Sequence, residues 1–258
     1  MPTLDITIVQ ADLHWHDASA NREKFDSALA AIDAKTDLVV LPEMFTTGFS
    51  MDAPNLAETM HGDSVDWMRR WAAQKSAAIC GSLIISENDQ YFNRFICAKP
   101  DGSLHTYDKR HLFRLADEHN HYAQGMETAV FELNGFRICP MVCYDLRFPV
   151  WSRNRDNYDL LLYVANWPSA RHNVWATLLR ARAIENLSFL AGVNRVGKDG
   201  NDHPYIGGSA IIDYLGNELA DLGDAEGSAT ASLDLDLLNK FRERFAFAAD
   251  ADKFTLKV

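Results

Sequence analysis

Apolar residues recur with a period near two in several short stretches and near 3.6 in longer ones, so the chain mixes strands with helices. Strands are expected at Asp5–Gln10, Asp37–Leu41, Ala78–Ser86 and Tyr91–Lys99, the last two joined by the polar turn Glu87–Gln90. Gly102–Asp108 follows a Pro-Asp-Gly turn and reads as another strand. Phe136–Cys143, Leu160–Ala165, Phe189–Asn194, Gly208–Asp213 and Thr230–Leu235 complete the set. Helical spacing predicts Ser19–Asp33, with Phe25, Leu29 and Ile32 on one face. It also predicts Asp63–Lys75, capped by Asp63 and striped by Val65, Met68, Trp71 and Ala72. Asn173–Asn186 and Asp236–Phe245 are the remaining helices.

Strands and helices alternate early, and hairpins interrupt them. That pattern predicts an α/β protein with mixed sheets. Several strands are apolar on both faces, so each face needs a cover, and two sheets stacked between helical layers provide it. No repeat or Pro/Gly-rich linker divides the chain, and Gly197–Gly208 is short enough to be a loop. Residues 1–258 are therefore expected to form a single domain.

Composition narrows the function classes. Of 258 residues, 47% are hydrophobic and 24% charged, which excludes a disordered or fibrous chain. The net charge of −11 repels phosphate backbones, so nucleic acid is not an expected partner. The start, MPTLDITIVQADLHW, lacks the basic and apolar regions of a secretory leader, and no apolar run is long enough to span a membrane. Four cysteines in a chain this long do not make a disulfide scaffold. A cytoplasmic protein with reduced thiols is expected.

Three strand ends carry candidate chemistry. Glu43 follows the apolar strand at Leu41-Pro42, at the rim where open α/β sheets place their sites. Lys109 follows the strand ending at Asp108 and is a charged donor suited to a developing oxyanion. Cys143 ends a third apolar strand, in the run CYDLRFP, and a helical turn is expected after it. The partial positive charge of that turn lowers a thiol's pKa, and the Tyr144 backbone N–H is placed to face an anion beside the sulfur. This resembles a nucleophile elbow with cysteine in place of serine. Cys80, Cys97 and Cys139 lie inside strand patterns and read as structural.

The segments LPEMFTTGF, YDKRHLF and CYDLRFP, in that order and spacing, resemble the Glu, Lys and Cys motifs of the nitrilase superfamily of carbon–nitrogen hydrolases. The similarity continues through VANWPSARHNVWATLLRARAIENLSF and GVNRVGKDG, and these segments are closest to bacterial omega-amidases. The resemblance implies a four-layer α-β-β-α sandwich with two mixed sheets, usually a homodimer, with no metal or organic cofactor. It implies hydrolysis of the terminal amide of 2-oxoglutaramate or 2-oxosuccinamate through a cysteine thioester. Glu43, Lys109 and Cys143 match the family's catalytic positions. Glu118, with Gly125 following at the expected distance, matches a second glutamate found in many members; Asp117 beside it is a rival, and Gln124 stands where a proline is usual. In the implied mechanism Glu43 is the general base, and Lys109 and the Tyr144 N–H hold the oxyanion.

A 2-oxo acid amide needs a cation or amide donors at its far end. Arg147, Arg171 and Arg195 are the candidates, although Arg147 is also placed to pair with Asp145. Phe45 and Trp167 adjoin motif residues and are candidate pocket walls, and Tyr122 is placed to reach in from the loop after Glu118. Three rival readings remain. One keeps the machinery but changes the substrate to deaminated glutathione, an N-carbamoyl amine or a nitrile. Another is a metal hydrolase using the run Asp117, Glu118, His119 and His121, with His111 near. The third is a silent binding protein on the same fold.

Overall fold

The computed structural model describes residues 2–155 and 157–256. The first half of the chain lays down β1 (Thr3–Gln10), α1 (Ala18–Ala30), β2 (Leu38–Val40), α2 (Ala53–Leu56), α3 (Asp63–Lys75), β3 (Ala78–Glu87), β4 (Gln90–Ala98), β5 (Leu104–Asp108) and α4 (Glu118–His121). The second half adds β6 (Phe131–Leu133), β7 (Phe136–Val142), β8 (Leu160–Val164), α5 (His172–Asn186), β9 (Phe189–Val193), β10 (Val196–Lys198), β11 (Pro204–Ile206), β12 (Ala210–Ile212), β13 (Glu218–Asp221), β14 (Gly227–Asp234) and α6 (Leu235–Arg244).

These strands form two mixed six-stranded sheets, in the orders β14-β1-β2-β3-β4-β5 and β13-β12-β9-β8-β7-β6. In the first sheet β1, β2 and β3 run parallel, and β3-β4-β5 is an antiparallel meander. In the second, β7, β8 and β9 run parallel. The period-two alternation of strands explains the layering. Leu38 and Val40 pack into a core shared with Ile138, Val142 and Leu162 of the second sheet. Val39 and Leu41, pointing the other way, join Phe25, Leu29, Met68 and Trp71 of α1 and α3. On the second sheet's far face, α5 supplies Trp175, Leu179 and Ala183. Gly192 on β9 is required there, because a Cβ would lie 2.5 Å from a Leu179 methyl. The result is the expected α-β-β-α order.

Four short strands were not expected: β6, β10, β11 and β13. The segment read as the loop Gly197–Gly208 contains the β10–β11 hairpin, a separate two-stranded sheet. Strands of three or four residues carry too few positions for alternation to show. Asp63 is not the cap of α3 but lies in its first turn, after Gly62. The Glu58 carboxylate takes the capping role instead, accepting the Ser64 N–H at 2.7 Å. No helix among the described residues is long and apolar enough to cross a membrane.

Candidate active site

Two sheets deliver three side chains to one place. Glu43 lies just past β2, where Met44 adopts a φ of 43° and its carbonyl accepts the N–H groups of Thr47 and Gly48. That tight turn leaves Glu43 fully buried. Lys109 is the first residue past β5, and its N–H still bonds to the Asn93 carbonyl at 3.0 Å, so the sheet edge holds its backbone. Cys143 comes from the second sheet, directly after β7. It opens a single 3₁₀ turn, Cys143–Arg147, with a φ of 44°. A non-glycine residue in the left-handed region stores strain, and surrounding bonds must hold it. Asp145 does so. Its carboxylate accepts the Val142 N–H at 3.0 Å, the Tyr107 hydroxyl at 2.8 Å and the His111 N–H at 2.9 Å. Those last two partners flank Lys109, so one carboxylate ties the cysteine turn to the lysine segment.

Lys109 Nζ lies 2.9 Å from Glu43 Oε1 and 2.9 Å from Glu118 Oε1, and none of the three side chains is more than 1% exposed. Charges buried this deeply are tolerated only when their hydrogen bonds are completed. Asn93 Nδ2 donates to Glu43 at 2.7 Å and to Glu118 at 3.4 Å. The second oxygen of Glu43 accepts the Asn166 N–H at 2.8 Å, and that of Glu118 accepts the Phe113 N–H at 2.5 Å. Asn166 also donates its side-chain amide to the Glu43 carbonyl at 2.6 Å.

Burial alone would depress the Lys109 pKa, but Glu118 and then Glu43 outweigh it and hold the ammonium well above its ordinary range. Burial raises the Glu118 carboxyl, against the pull of Lys109. Cys143 corrects an expectation. Burial pushes its thiol well above the ordinary 9.0; the Glu43 carboxylate adds to this, and Lys109 only partly opposes it. The turn after the cysteine is too short, and the site too dry, for a helix end to prevail. Burial therefore favours the thiol, whose sulfur donates to the Asn166 carbonyl at 3.9 Å.

A cavity of about 640 Å³ opens beside this cluster. Its walls include Cys143, Lys109, Asn166, Phe49, Trp167 and Tyr205. The ring of Phe49 lies 5.0 Å beneath Lys109 Nζ.

A profile of the carbon-nitrogen hydrolase family matches residues 5–243. The chain belongs to the carbon–nitrogen hydrolase family. It is 51% identical to an omega-amidase of Yersinia enterocolitica, over 99% of this chain and 100% of that one. It is 34% identical to a 2-oxoglutaramate amidase of Bacillus subtilis, over 96% and 97% of the two chains. A crystal structure of a CN-hydrolase superfamily protein from Xanthomonas campestris, with an arsenic adduct in its active site, superposes with a TM-score of 0.97. That protein is 48% identical and covers 100% of both chains. The sandwich described above is thus the fold of this hydrolase superfamily.

Not every expected residue of this hydrolase reaches the cavity. Glu118 is buried against Lys109, whereas its rival Asp117 is exposed and accepts from Asn120. Trp167, Arg147 and Arg171 line the cavity, as does Tyr144. Arg147 does not pair with Asp145, whose oxygens are taken by Tyr107, His111 and Val142. Phe45 is fully buried between Phe25 and Trp67, on the helix-covered face of the first sheet. The tight turn at Met44, with its φ of 43°, interrupts the extended chain and packs Phe45 back beside Leu41, away from the Glu43 carboxylate. Tyr122 is likewise no wall: its hydroxyl donates to the Ser50 carbonyl, and its ring packs with Met44 and Ile84. Arg195 is fully buried and braces the β10–β11 hairpin, bonding Asp12 at 2.7 Å and the Lys198 carbonyl at 2.8 Å beneath the Tyr205 ring.

Asn93, Asn166 and Asp145 went unsingled in the sequence. Asn93 sits within a strand whose neighbours are largely apolar, and a fully buried asparagine there signals a partner. Asp145 was visible inside CYDLRFP, but only the fold shows that its donors come from the lysine segment.

Proposed function

We propose that the protein is an omega-amidase, hydrolysing the terminal amide of 2-oxoglutaramate or 2-oxosuccinamate to the 2-oxo dicarboxylate and ammonia. The observation that carries this reading is the buried Glu43–Lys109–Glu118 cluster, with ion pairs of 2.9 Å, whose lysine lines the same cavity as the strained Cys143. The full-length likeness to the Yersinia enterocolitica omega-amidase, at 51% identity, supports the substrate class.

An amide carbon is a poor electrophile, so nucleophile and charge stabilisation are both needed. Burial favours the protonated thiol of Cys143, so attack is coupled to proton transfer from Sγ to Glu43, the carboxylate whose charge acts most strongly on it. The C–S bond forms as the carbonyl π pair moves to oxygen. Lys109 gives two N–H bonds to the carboxylates. Its third N–H and the Tyr144 backbone N–H stabilise the oxyanion. Tyr144 is the second residue of its turn, where backbone donors lack intrahelical partners. As the oxyanion collapses, the C–N bond breaks and Glu43 returns its proton to the departing ammonia. Water then attacks the thioester, giving one proton to Glu43, which passes it to the leaving sulfur. Glu118 fixes Lys109 and relays no proton, since its second oxygen is held by the Phe113 N–H. The whole chain works as one catalytic domain. A resting thiol requires a reducing compartment, in keeping with a cytoplasmic enzyme. A homodimer is the assembly that the family resemblance implies.

Chromatography of the products from 2-oxoglutaramate, with ammonia detection, tests the reading. Stoichiometric 2-oxoglutarate and ammonia are expected. A preference for a monoamide without the distal carboxylate would overturn the substrate assignment.

A further inference from the structure

We infer that Arg147 and Arg171 form a two-cation anchor for the carboxylate at the far end of the substrate, and that this pair sets the preference for half-amides of dicarboxylic acids. The inference rests on the amidase reading and names the residues behind its substrate class.

Several observations converge. Both arginines line the cavity that holds Cys143. Neither has an ion-pair partner among the described residues, in a chain with 36 acidic side chains. Arg94, Arg180, Arg182, Arg195 and Arg242 are all paired with carboxylates. Two unneutralised guanidinium groups facing one cavity therefore mark an anion's place.

The rings beneath them matter as much. Arg147 lies over Trp167 at 5.3 Å and Arg171 over Phe113 at 5.2 Å. A ring face holds a planar cation without using its in-plane N–H donors, which stay available for a carboxylate. The Trp167 indole N–H donates to the Arg171 carbonyl at 2.9 Å, so the ring under one arginine is tied to the backbone of the other. The aromatic wall fixes the two cations relative to each other.

Elsewhere on the cavity wall Asp199 is acidic and accepts from Tyr205 at 2.9 Å, which disfavours an anion beside it.

The test compares Arg171→Met, Arg147→Met and Arg147→Lys on two substrates: 2-oxoglutaramate and a neutral amide of equal length, pentanamide. Each Met variant is expected to lose about tenfold or more in kcat/KM for 2-oxoglutaramate beyond its loss on pentanamide, chiefly through KM. Arg147→Lys should recover part of that loss, since charge is kept and the fork is not. Equal losses on both substrates, or none, would overturn the anchor while leaving the amidase reading intact. A wild-type enzyme inactive on 2-oxoglutaramate but active on pentanamide would instead remove the reading and the anchor together. Thermal melting of each variant separates misfolding from lost recognition.

Discussion

Lys109 is 1% exposed and divides its protons between two carboxylates 2.9 Å away, while Arg147 and Arg171, on the same cavity, rest on aromatic rings and face no carboxylate among the described residues. The first group is neutralised within the fold. It is rigid, and its charge cannot be removed without leaving an ion stranded. The second is left unneutralised at the solvent-facing side, where water screens it until a ligand arrives. The difference separates two duties. A charge that must act on a transient oxyanion is held in place beforehand, and one that recognises a stable anion is left open. Breaking the buried group should damage both chemistry and folding, whereas breaking the open group should damage recognition.

The largest effect is expected at the atom between the two groups. Cys143→Ala should lower amide hydrolysis at least ~10⁴-fold, with 2-oxoglutarate binding nearly unchanged by calorimetry. Activity persisting above that level would mean the cavity works without a thioester. Lys109→Met follows. Activity should fall by ~10²–10³-fold, and two buried carboxylates lose their common cation, costing about 3–5 kcal/mol in urea unfolding. A Lys109→Met protein as stable as the wild type would show that the carboxylates do not depend on the ammonium.

Much of this comparison was legible before the fold was known, for a physical reason. Glu43, Lys109 and Cys143 follow apolar strands, and polar groups at such positions stand out against their surroundings; Glu118, in a short helix, was reached only through the family resemblance. The layers were legible as well, because Leu38–Leu41 is apolar on both faces and must be covered twice. Cys143's protonation was not legible. It depends on how completely the fold removes water from the sulfur, which no spacing records. Phe45 and Tyr122 were misplaced because adjacence along the chain was taken for adjacence in space. A side chain two residues past Glu43 turns into the opposite core, and Tyr122 is spent holding Ser50. Asn93 illustrates the reverse: a residue 50 positions from Glu43 in sequence is 2.7 Å away through strand pairing.

Asp145→Asn sharpens the comparison at the joint between the sheets. Both oxygens of Asp145 accept, from Val142, Tyr107 and His111. An amide presents donors on one side, where at least one backbone N–H then loses its acceptor. The Tyr107 hydroxyl can rotate to accept, but the backbone cannot. A loss of about 1–3 kcal/mol in stability is expected, with roughly tenfold lower kcat and little change in KM. A rise in KM with kcat unchanged would place Asp145 with the recognition group and not with the cysteine turn.

The smallest effect concerns alkaline pH. The fold holds Cys143 as a thiol well above 9.0, and an unfolded chain releases that proton near 9.0. Above that value the folded state binds more protons than the unfolded state, so stability declines as pH rises. One such proton is worth at most about 1.4 kcal/mol per pH unit. Lys109, also raised in the fold, contributes in the same direction only above its ordinary 10.5. Below pH 8 neither group affects the slope. Cys143→Ala should therefore narrow its stability gap to the wild type between pH 9 and 10.5, and urea unfolding at half-unit intervals measures that gap. Parallel curves for the two proteins would mean that the sulfur is already ionised in the fold. The cysteine would then belong with the open, solvent-responsive charges and not with the dry cluster around Lys109.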